Sequence, residues 1–383
     1  MANTDVVNSR QDVEAFIRGA NKTLKSDVLV RASDMLVPDT FTTGSVSADV
    51  ALGGGWPGNK WVQVIGHWTA GKTAITLKTV AANQKLNPNL NTFWLAAEHY
   101  DTTQARALGV DNSRVTVAPV QEMELGLDLL LAATESQVYD ILVLDSYPAL
   151  LPHAEDEKSM AEFGQADGAR RFNQFWRKAG KASRRNHNGT DRPFLGIIIN
   201  QYRDKIGGVP ARFGIPQTSP GGHGQDYAYY TRVDVARKEW IKETWPDVHD
   251  PVAVGQTLKL KTIKNKASAP QRTAEVDFYF NNAPIHGFKR GDYDTGKECV
   301  TMGLLFHVIQ HEKGSYLSFQ GETFNGKPAL QARVLEDLDF RAALTSQVLA
   351  VARDPKRVDA IVESNMDALA DKAPRTVKRR GNG

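Results

Sequence analysis

Eight residues constrain this chain more than any others: Gly66-His67-Trp68-Thr69-Ala70-Gly71-Lys72-Thr73. A glycine, four residues, then glycine, lysine and a hydroxyl side chain is the spacing of a loop that cradles phosphate. The glycines let the backbone turn tightly and present its N–H groups to anionic oxygens. Lys72 supplies a point charge for β- and γ-phosphates, and the Thr73 hydroxyl can ligate Mg²⁺. Trp61-Val62-Gln63-Val64-Ile65 reads as a short buried strand in front of the loop. Ala74 to Ala82 reads as a helix behind it, with its positive N-terminal end toward the same phosphates. Strand, glycine loop and helix in that order are the context the motif requires. Gly66, His67, Trp68, Thr69, Ala70, Gly71, Lys72, Thr73 and Ala74 are therefore candidate nucleotide contacts.

The 383 residues suffice for a full core and for more than one domain. Apolar content of 41% and charged content of 24% fit a soluble globular protein. A single cysteine, Cys299, excludes an intramolecular disulfide and fits a reducing, cytoplasmic compartment. No run approaches the roughly 18 apolar residues of a membrane span, and the first residues lack the pattern of a signal peptide. A net charge of +3 is too small to argue for a nucleic-acid partner, so charge placement must carry that case.

Thr92-Phe93-Trp94-Leu95-Ala96-Ala97 reads as a second buried strand, with Glu98 directly at its end. Ligand-contacting residues of open parallel sheets sit at the carboxyl ends of strands, so Glu98 is placed to polarise a water beside the γ-phosphate. A solvated glutamate is the alternative. Residues 123–136 have helical periodicity. Tyr139-Asp140-Ile141-Leu142-Val143-Leu144-Asp145-Ser146 is an apolar strand ending in an acid, the pattern in which a carboxylate, here Asp145, holds Mg²⁺.

Residues 152–168 read as a polar loop longer than about 12 residues, a length usually tied to function or motion. A basic helix follows, carrying Arg170, Arg171, Arg177, Lys178, Lys181, Arg184 and Arg185, with Phe172, Phe175 and Trp176 interleaved. That composition suits nucleic-acid backbone and bases. It equally suits a core-facing aromatic stripe with a solvated basic back. Phe194 to Asn200 is a third core strand, and Gln201 opens a glycine-rich segment running to Gly224. The segment carries Arg203, Lys205, Arg212, Phe213, Gly221 and Gly222, and its composition predicts mobility. A glutamine between a nucleotide and such a segment could sense the γ-phosphate and order the segment.

Further strands are expected at 231–235, 255–263 and 274–280, the last two flanking Lys264-Asn265-Lys266. From about 285 the pattern changes to short helices and a hairpin between about 312 and 326. Residues 372–380 hold five basic and no acidic side chains, a disordered tail with affinity for polyanions. Near the start, Val13, Phe16, Ile17, Ala20 and Leu24 recur at helical spacing, giving an amphipathic helix that either packs on its own subunit or docks on a neighbour.

The ordered set Phe41-Thr42-Thr43-Gly44-Ser45, Ala51-Leu52-Gly53-Gly54-Gly55, the phosphate loop, Ala97-Glu98-His99, residues 105–111, Leu144-Asp145-Ser146, Ile199-Asn200-Gln201, Thr218-Ser219-Pro220-Gly221-Gly222 and Lys264-Asn265-Lys266 resembles the RecA family of recombinases. The likeness runs over about 40–340. The plan resembles the bacterial branch, and the intervening sequence resembles the phage UvsX type.

The resemblance implies an α/β fold: a RecA-like P-loop NTPase core with a mostly parallel central sheet flanked by helices, an N-terminal helical arm and a small α/β C-terminal domain. It implies an oligomerisation arm at 1–38, an ATPase and single-stranded DNA-binding core at 39–284, a duplex-capturing domain at 285–350, and a helix with a basic tail at 351–383. It implies ATP and Mg²⁺ as cofactors, with Lys72 and Thr73 on phosphate and metal, Glu98 activating water and Asp145 completing the metal site. Gln201 would couple ATP to the second segment, and Lys264 and Lys266 would reach a neighbour's γ-phosphate. The segments 152–168 and 202–224 would grip single-stranded DNA, with Arg170 and Arg177 behind the first. Gln104 stands where the family usually has an aromatic on adenine, and Asp101 is a further adenine contact. Expected partners are single- and double-stranded DNA, further copies of the chain in a helical filament, single-stranded DNA-binding protein and mediators, with no membrane. Competing readings are a ring helicase or translocase and an ATP-switched DNA-binding scaffold. A bacterial cytoplasm, with a phage-borne gene as the variant, is the implied location.

Overall fold

The computed structural model describes residues 10–25, 29–34, 39–157, 167–183, 192–204, 217–222, 224–246, 248–354 and 356–361. One sheet organises the molecule. Its strands are β1 (Lys60–Gly66), β2 (Thr92–Ala96), β3 (Val115–Ala118), β4 (Ile141–Asp145), β5 (Leu195–Gln201), β6 (Thr231–Glu243), β7 (Val252–Asn265) and β8 (Thr273–Tyr279), in the order β8-β7-β6-β1-β5-β4-β2-β3. From β6 to β3 every neighbouring pair is parallel. β7 and β8 add an antiparallel edge.

The central strands are mostly apolar because both faces are covered. On β4, Ile141 and Val143 join the cluster that contains Ile75, Leu77 and Val80 of α3 (Lys72–Leu86). Leu142 and Leu144 point the other way, into a cluster with Leu127 and Leu130 of α5 (Met123–Ser136). The period of two along the strand thus sorts one sequence onto two cores. The same second core takes Phe172, Phe175 and Trp176 from α6 (Asp167–Ala182), and Trp61 meets Phe175, Trp176 and Phe194 edge-on. The aromatic stripe of the basic helix is therefore core, while Arg170, Arg177 and Lys178 are exposed. Arg184 and Arg185 lie outside the described residues.

Other helices fill the connections: α1 (Arg10–Leu24), α2 (Val46–Leu52), α4 (Thr102–Ala107) and α7 (Gly224–Ala228). Toward the C-terminus, α8 (Thr295–Leu305), α9 (Gly326–Glu336) and α10 (Leu338–Ala352) pack with a small antiparallel sheet of β9 (Gln310–His311), β10 (Tyr316–Phe319) and β11 (Glu322–Asn325). Their core holds Cys299, Ile309, Leu317, Phe340 and Leu344, together with Val46 of α2. At this seam the Ser45 hydroxyl donates to buried Glu298 at 2.6 Å. Burial drives the Glu298 carboxyl up to about 8.

Several expectations need correction. The stretch read as one loop over 152–168 contains a helical turn, His153–Asp156, and ends inside α6, which begins at Asp167. Residues 158–166 lie outside the described residues. Strands expected at 231–235 and 255–263 run to Glu243 and begin at Val252, forming a long hairpin arm. The glycine-rich segment was expected to be irregular, yet Arg203–Asp204 pairs with Gln217–Thr218 and α7 follows. Among the described residues no helix is long and apolar enough to cross a membrane.

Candidate functional site

The phosphate loop leaves the carboxyl end of β1, between β6 and β5. Gly71 caps the N-terminus of α3 with φ 94°, and a side chain there would run into Leu258. Only glycine satisfies both the left-handed backbone and that close approach. The loop therefore ends in free helix N–H groups facing the space above the sheet, the arrangement that holds phosphate. Lys72 is 7% exposed. Its ammonium donates to the His67 carbonyl at 2.6 Å, and burial lowers its pKa.

Three neighbouring strand ends complete the constellation. Asp145 closes β4 with 5% exposure, and its Oδ2 accepts from the Thr73 hydroxyl at 3.1 Å. Burial first, and the charge of Glu98 second, raise the Asp145 carboxyl to about 7. A buried carboxylate beside a hydroxyl is a hard-oxygen donor pair that a cation would relieve of its desolvation penalty. The pair therefore fits Mg²⁺, which takes one or two protein oxygens and fills its remaining sites with water and substrate phosphate.

Glu98 follows β2, and its backbone N–H donates to the Asp145 carbonyl at 2.8 Å, locking the two strand ends together. Its Oε1 accepts from the Ser146 hydroxyl and from Gln201 Nε2 at 3.5 Å. Ser146 went unnoticed as a partner in the sequence because an isolated serine after a strand carries no pattern. The residues expected to act together, Lys72, Thr73, Glu98, Asp145 and Gln201, do converge. Asp101 caps α4 through Thr103 N and Gln104 N, which leaves Oδ2 of the carboxylate for another donor. Gln104 itself is half-buried in that first turn.

The remaining expected residues divide. Lys264 Nζ donates to the carbonyls of Asp226 and of Tyr229, the latter at 2.6 Å, so in this protomer it is held inward on the end of α7. Lys266 is exposed, 6.0 Å from the Tyr230 ring centre. Arg170, Arg177 and Arg203 are exposed. Gly221 and Gly222 take φ 113° and 72°. Gly222 lies against Ala169, and Gly224 against Asn173, so the glycine-rich segment ends on the start of α6. The bases of both expected DNA segments therefore meet. Lys205, Arg212 and Phe213 lie outside the described residues.

A partly buried hub behind Gly221 and Gly222 escaped the sequence reading. Arg232 donates to Gln63 at 2.7 Å, to Asp226 at 2.6 Å and to Ser219 at 3.2 Å. Its signal was an arginine beside the apolar residues Val233 and Val235 at the start of a strand, where loss of water demands partners.

A family model described as the RecA N-terminal domain matches residues 13–284. Curated relatives include Protein RecA of Kineococcus radiotolerans, 31% identical over 365 residues, covering 94% of this chain and 97% of the relative. Protein RecA of Trichodesmium erythraeum is 29% identical over 380 residues, covering 96% and 95%. Protein RecA of Macrococcus caseolyticus is 31% identical over 312 residues, covering 81% of each.

Proposed function

This chain belongs to the RecA family, and from that premise we infer an ATP-dependent homologous recombinase. It assembles on single-stranded DNA as a helical filament, pairs the strand with homologous duplex and exchanges strands. The observation that carries the inference is the convergence of Lys72, Thr73, Glu98, Asp145 and Gln201 within a chain matched along nearly its whole length.

Each residue has a task that its chemistry suits. The loop N–H groups and Lys72 bind and orient the phosphates. Thr73 and Asp145 would hold Mg²⁺, which neutralises charge on the transferred phosphoryl group. Glu98, its position fixed by Ser146, orients a water and takes its proton. Gln201 hydrogen-bonds that same carboxylate at the end of β5, so it relays the state of the pocket to residues 202–224. Asp101 and Gln104 contact the base.

Lys264 and Lys266 act on a neighbouring protomer's pocket, which makes hydrolysis depend on assembly. For Lys264 this requires release from the Asp226 and Tyr229 carbonyls. Contacts between unlike faces that do not close generate a helix of subunits. The arm over 1–38 joins protomers, 39–284 handles ATP and single-stranded DNA, and 285–350 captures duplex. Arg170, Arg177, Arg203, Lys205, Arg212, Phe213, Gly221 and Gly222 serve the DNA strand. Single-stranded DNA-binding protein and mediators are the auxiliary partners, and the lone, buried Cys299 suits a reducing bacterial cytoplasm.

The test is phosphate release with and without single-stranded DNA, with electron microscopy of the same samples. Stimulated turnover on helical filaments is expected. Protein that stays monomeric on oligonucleotide with a non-hydrolysable nucleotide overturns the inference, and closed rings would indicate a translocase. The tail at 372–383 lies outside the described residues. Its removal should weaken duplex binding and flatten the salt dependence by about 0.9 log units per lost phosphate contact; an unchanged slope refutes its role.

A further inference from the structure

Gln201 is one connection between the phosphate pocket and the segment that follows it. A second, on different residues, runs across the top of the sheet. β6, β1 and β5 lie side by side, with Asp234 opposite Ile65 and Gly66 opposite Gln201. Strands two apart in a sheet are roughly 10 Å apart. Tyr202, the first residue past β5, reaches across that gap, with its hydroxyl beside the Asp234 carboxylate. In crossing, its ring meets the imidazole of His67, with centres 5.5 Å apart and planes at 50°. His67 is the first residue of the phosphate loop beyond β1, and its carbonyl is the acceptor for the Lys72 ammonium.

Four residues therefore form an unbroken physical chain: Lys72 to the His67 carbonyl, the His67 ring to the Tyr202 ring, and the Tyr202 hydroxyl to Asp234. Its two ends differ in firmness. Asp234 is fixed within β6, which is paired on both sides. Lys72 is held by a neutral carbonyl, a weaker acceptor than an anionic oxygen. Tyr202 directly precedes Arg203–Asp204, the strand that pairs with Gln217–Thr218 and closes the base of the glycine-rich segment.

We propose that His67, Tyr202 and Asp234 form a second coupling route, parallel to Gln201, through which the phosphate loop sets the position of Arg203 and of the strand pair Arg203–Asp204/Gln217–Thr218, and hence the protein's affinity for single-stranded DNA. When Lys72 turns from the His67 carbonyl to phosphate oxygens, the His67 backbone is released and its ring shifts against Tyr202. Asp234 holds the far end of Tyr202, so the displacement is delivered to Arg203 rather than lost in side-chain rotation. Tyr202 and Asp234 are positioning residues: neither touches the phosphate pocket. This inference rests on the recombinase reading and adds to it.

The experiment measures binding of fluorescent oligothymidine by anisotropy, with full-length protein, in the presence and absence of a non-hydrolysable ATP analogue. The readout is the ratio of the two affinities, which a merely structural role would leave unchanged. Tyr202→Ala should reduce the ratio about fivefold or more relative to the parent. Tyr202→Phe, which keeps the ring on His67, should reduce it about twofold, and Asp234→Leu, which removes the acceptor, should match Tyr202→Phe. The Tyr202→Phe/Asp234→Leu double variant should lose no more than either single, since both cut the same link. Asp234→Leu keeps a side chain of similar shape and keeps the test decisive if Tyr202→Ala does not fold. A parent-like ratio in Asp234→Leu and in the tyrosine variants that fold overturns the second route alone. A parent protein whose affinity ignores the nucleotide overturns the recombinase reading and this route with it.

Discussion

Helices α1 and α3 are each 15 residues long and sit at opposite extremes of burial. α3 buries residues on nearly every side, Asn83 and Gln84 among them, and its Ile75, Leu77 and Val80 are almost fully enclosed. α1 has a sharply divided surface, yet Phe16 on its apolar side is 69% exposed, and Val13 and Leu24 are exposed as well. A helix buried by its own chain needs no division of faces, whereas a divided helix must cover its stripe with something. The protomer gathers the phosphate loop and its acidic partners from its own strands, whereas among the described residues Val13, Phe16 and Leu24 of α1 stay exposed. The comparison separates what one copy of the chain accomplishes from what assembly adds.

That separation can be broken from either side. The largest effect should come at the pocket: Glu98→Gln is expected to slow ATP turnover by about 10²–10⁴-fold while nucleotide still binds, measured as phosphate release beside binding of a fluorescent analogue. Lys72→Ala should slow turnover by about 10²–10³-fold and weaken nucleotide binding too, and near-parental strand exchange in that variant would restore the scaffold reading. Phe16→Asp should weaken self-association about tenfold, or about 1.4 kcal/mol, by sedimentation. Its melting temperature should stay close to the parent's, because the ring is already in water. An equal loss of thermal stability would mean that α1 is covered within its own protomer.

An effect on stability alone, with turnover and assembly untouched, belongs to the seam beneath the C-terminal helices. The Glu298 carboxyl lies near 8 in the folded chain against 4.5 for an ordinary glutamate, with burial the main cause. A raised acid contributes its stability in full below the unfolded value and loses it as pH rises toward the folded value. Glu298→Gln removes that loss. Denaturant midpoints of the two proteins should diverge between pH 4.5 and 8, with the glutamine form ahead by on the order of 1–3 kcal/mol at the alkaline end. Parallel curves would mean that the carboxylate is solvated at the seam.

Where sequence reading succeeded, the signal was local and dense. The phosphate loop fixes its own backbone, and β4 announces itself by four apolar residues that must be covered on both faces. It stopped short where structure depends on pairing at a distance. Beyond Val235, β6 turns to Arg237, Lys238 and Glu239, whose exposed side chains read as a loop. Only register with β7 keeps the strand extended to Glu243. The basic helix was ambiguous because aromatic and cationic residues alternate around it, and only distant partners such as Trp61, Tyr147 and Tyr229 decide which side is core. The His67–Tyr202 contact had no sequence signal, since the two residues lie 135 positions apart and meet only through the adjacency of β1 and β5.

Trp68 has a practical consequence. Of the seven tryptophans, Trp56, Trp61, Trp94 and Trp176 are enclosed, whereas Trp68, inside the phosphate loop, is 81% exposed. Its indole therefore emits from water, open to a soluble quencher that cannot reach those four, while half-exposed Trp240 lies on the hairpin arm. The molecule thus carries an intrinsic optical reporter at the mouth of its pocket. A Trp68→Phe control isolates that signal, so filling of the pocket and subunit contact can be timed without attaching a dye.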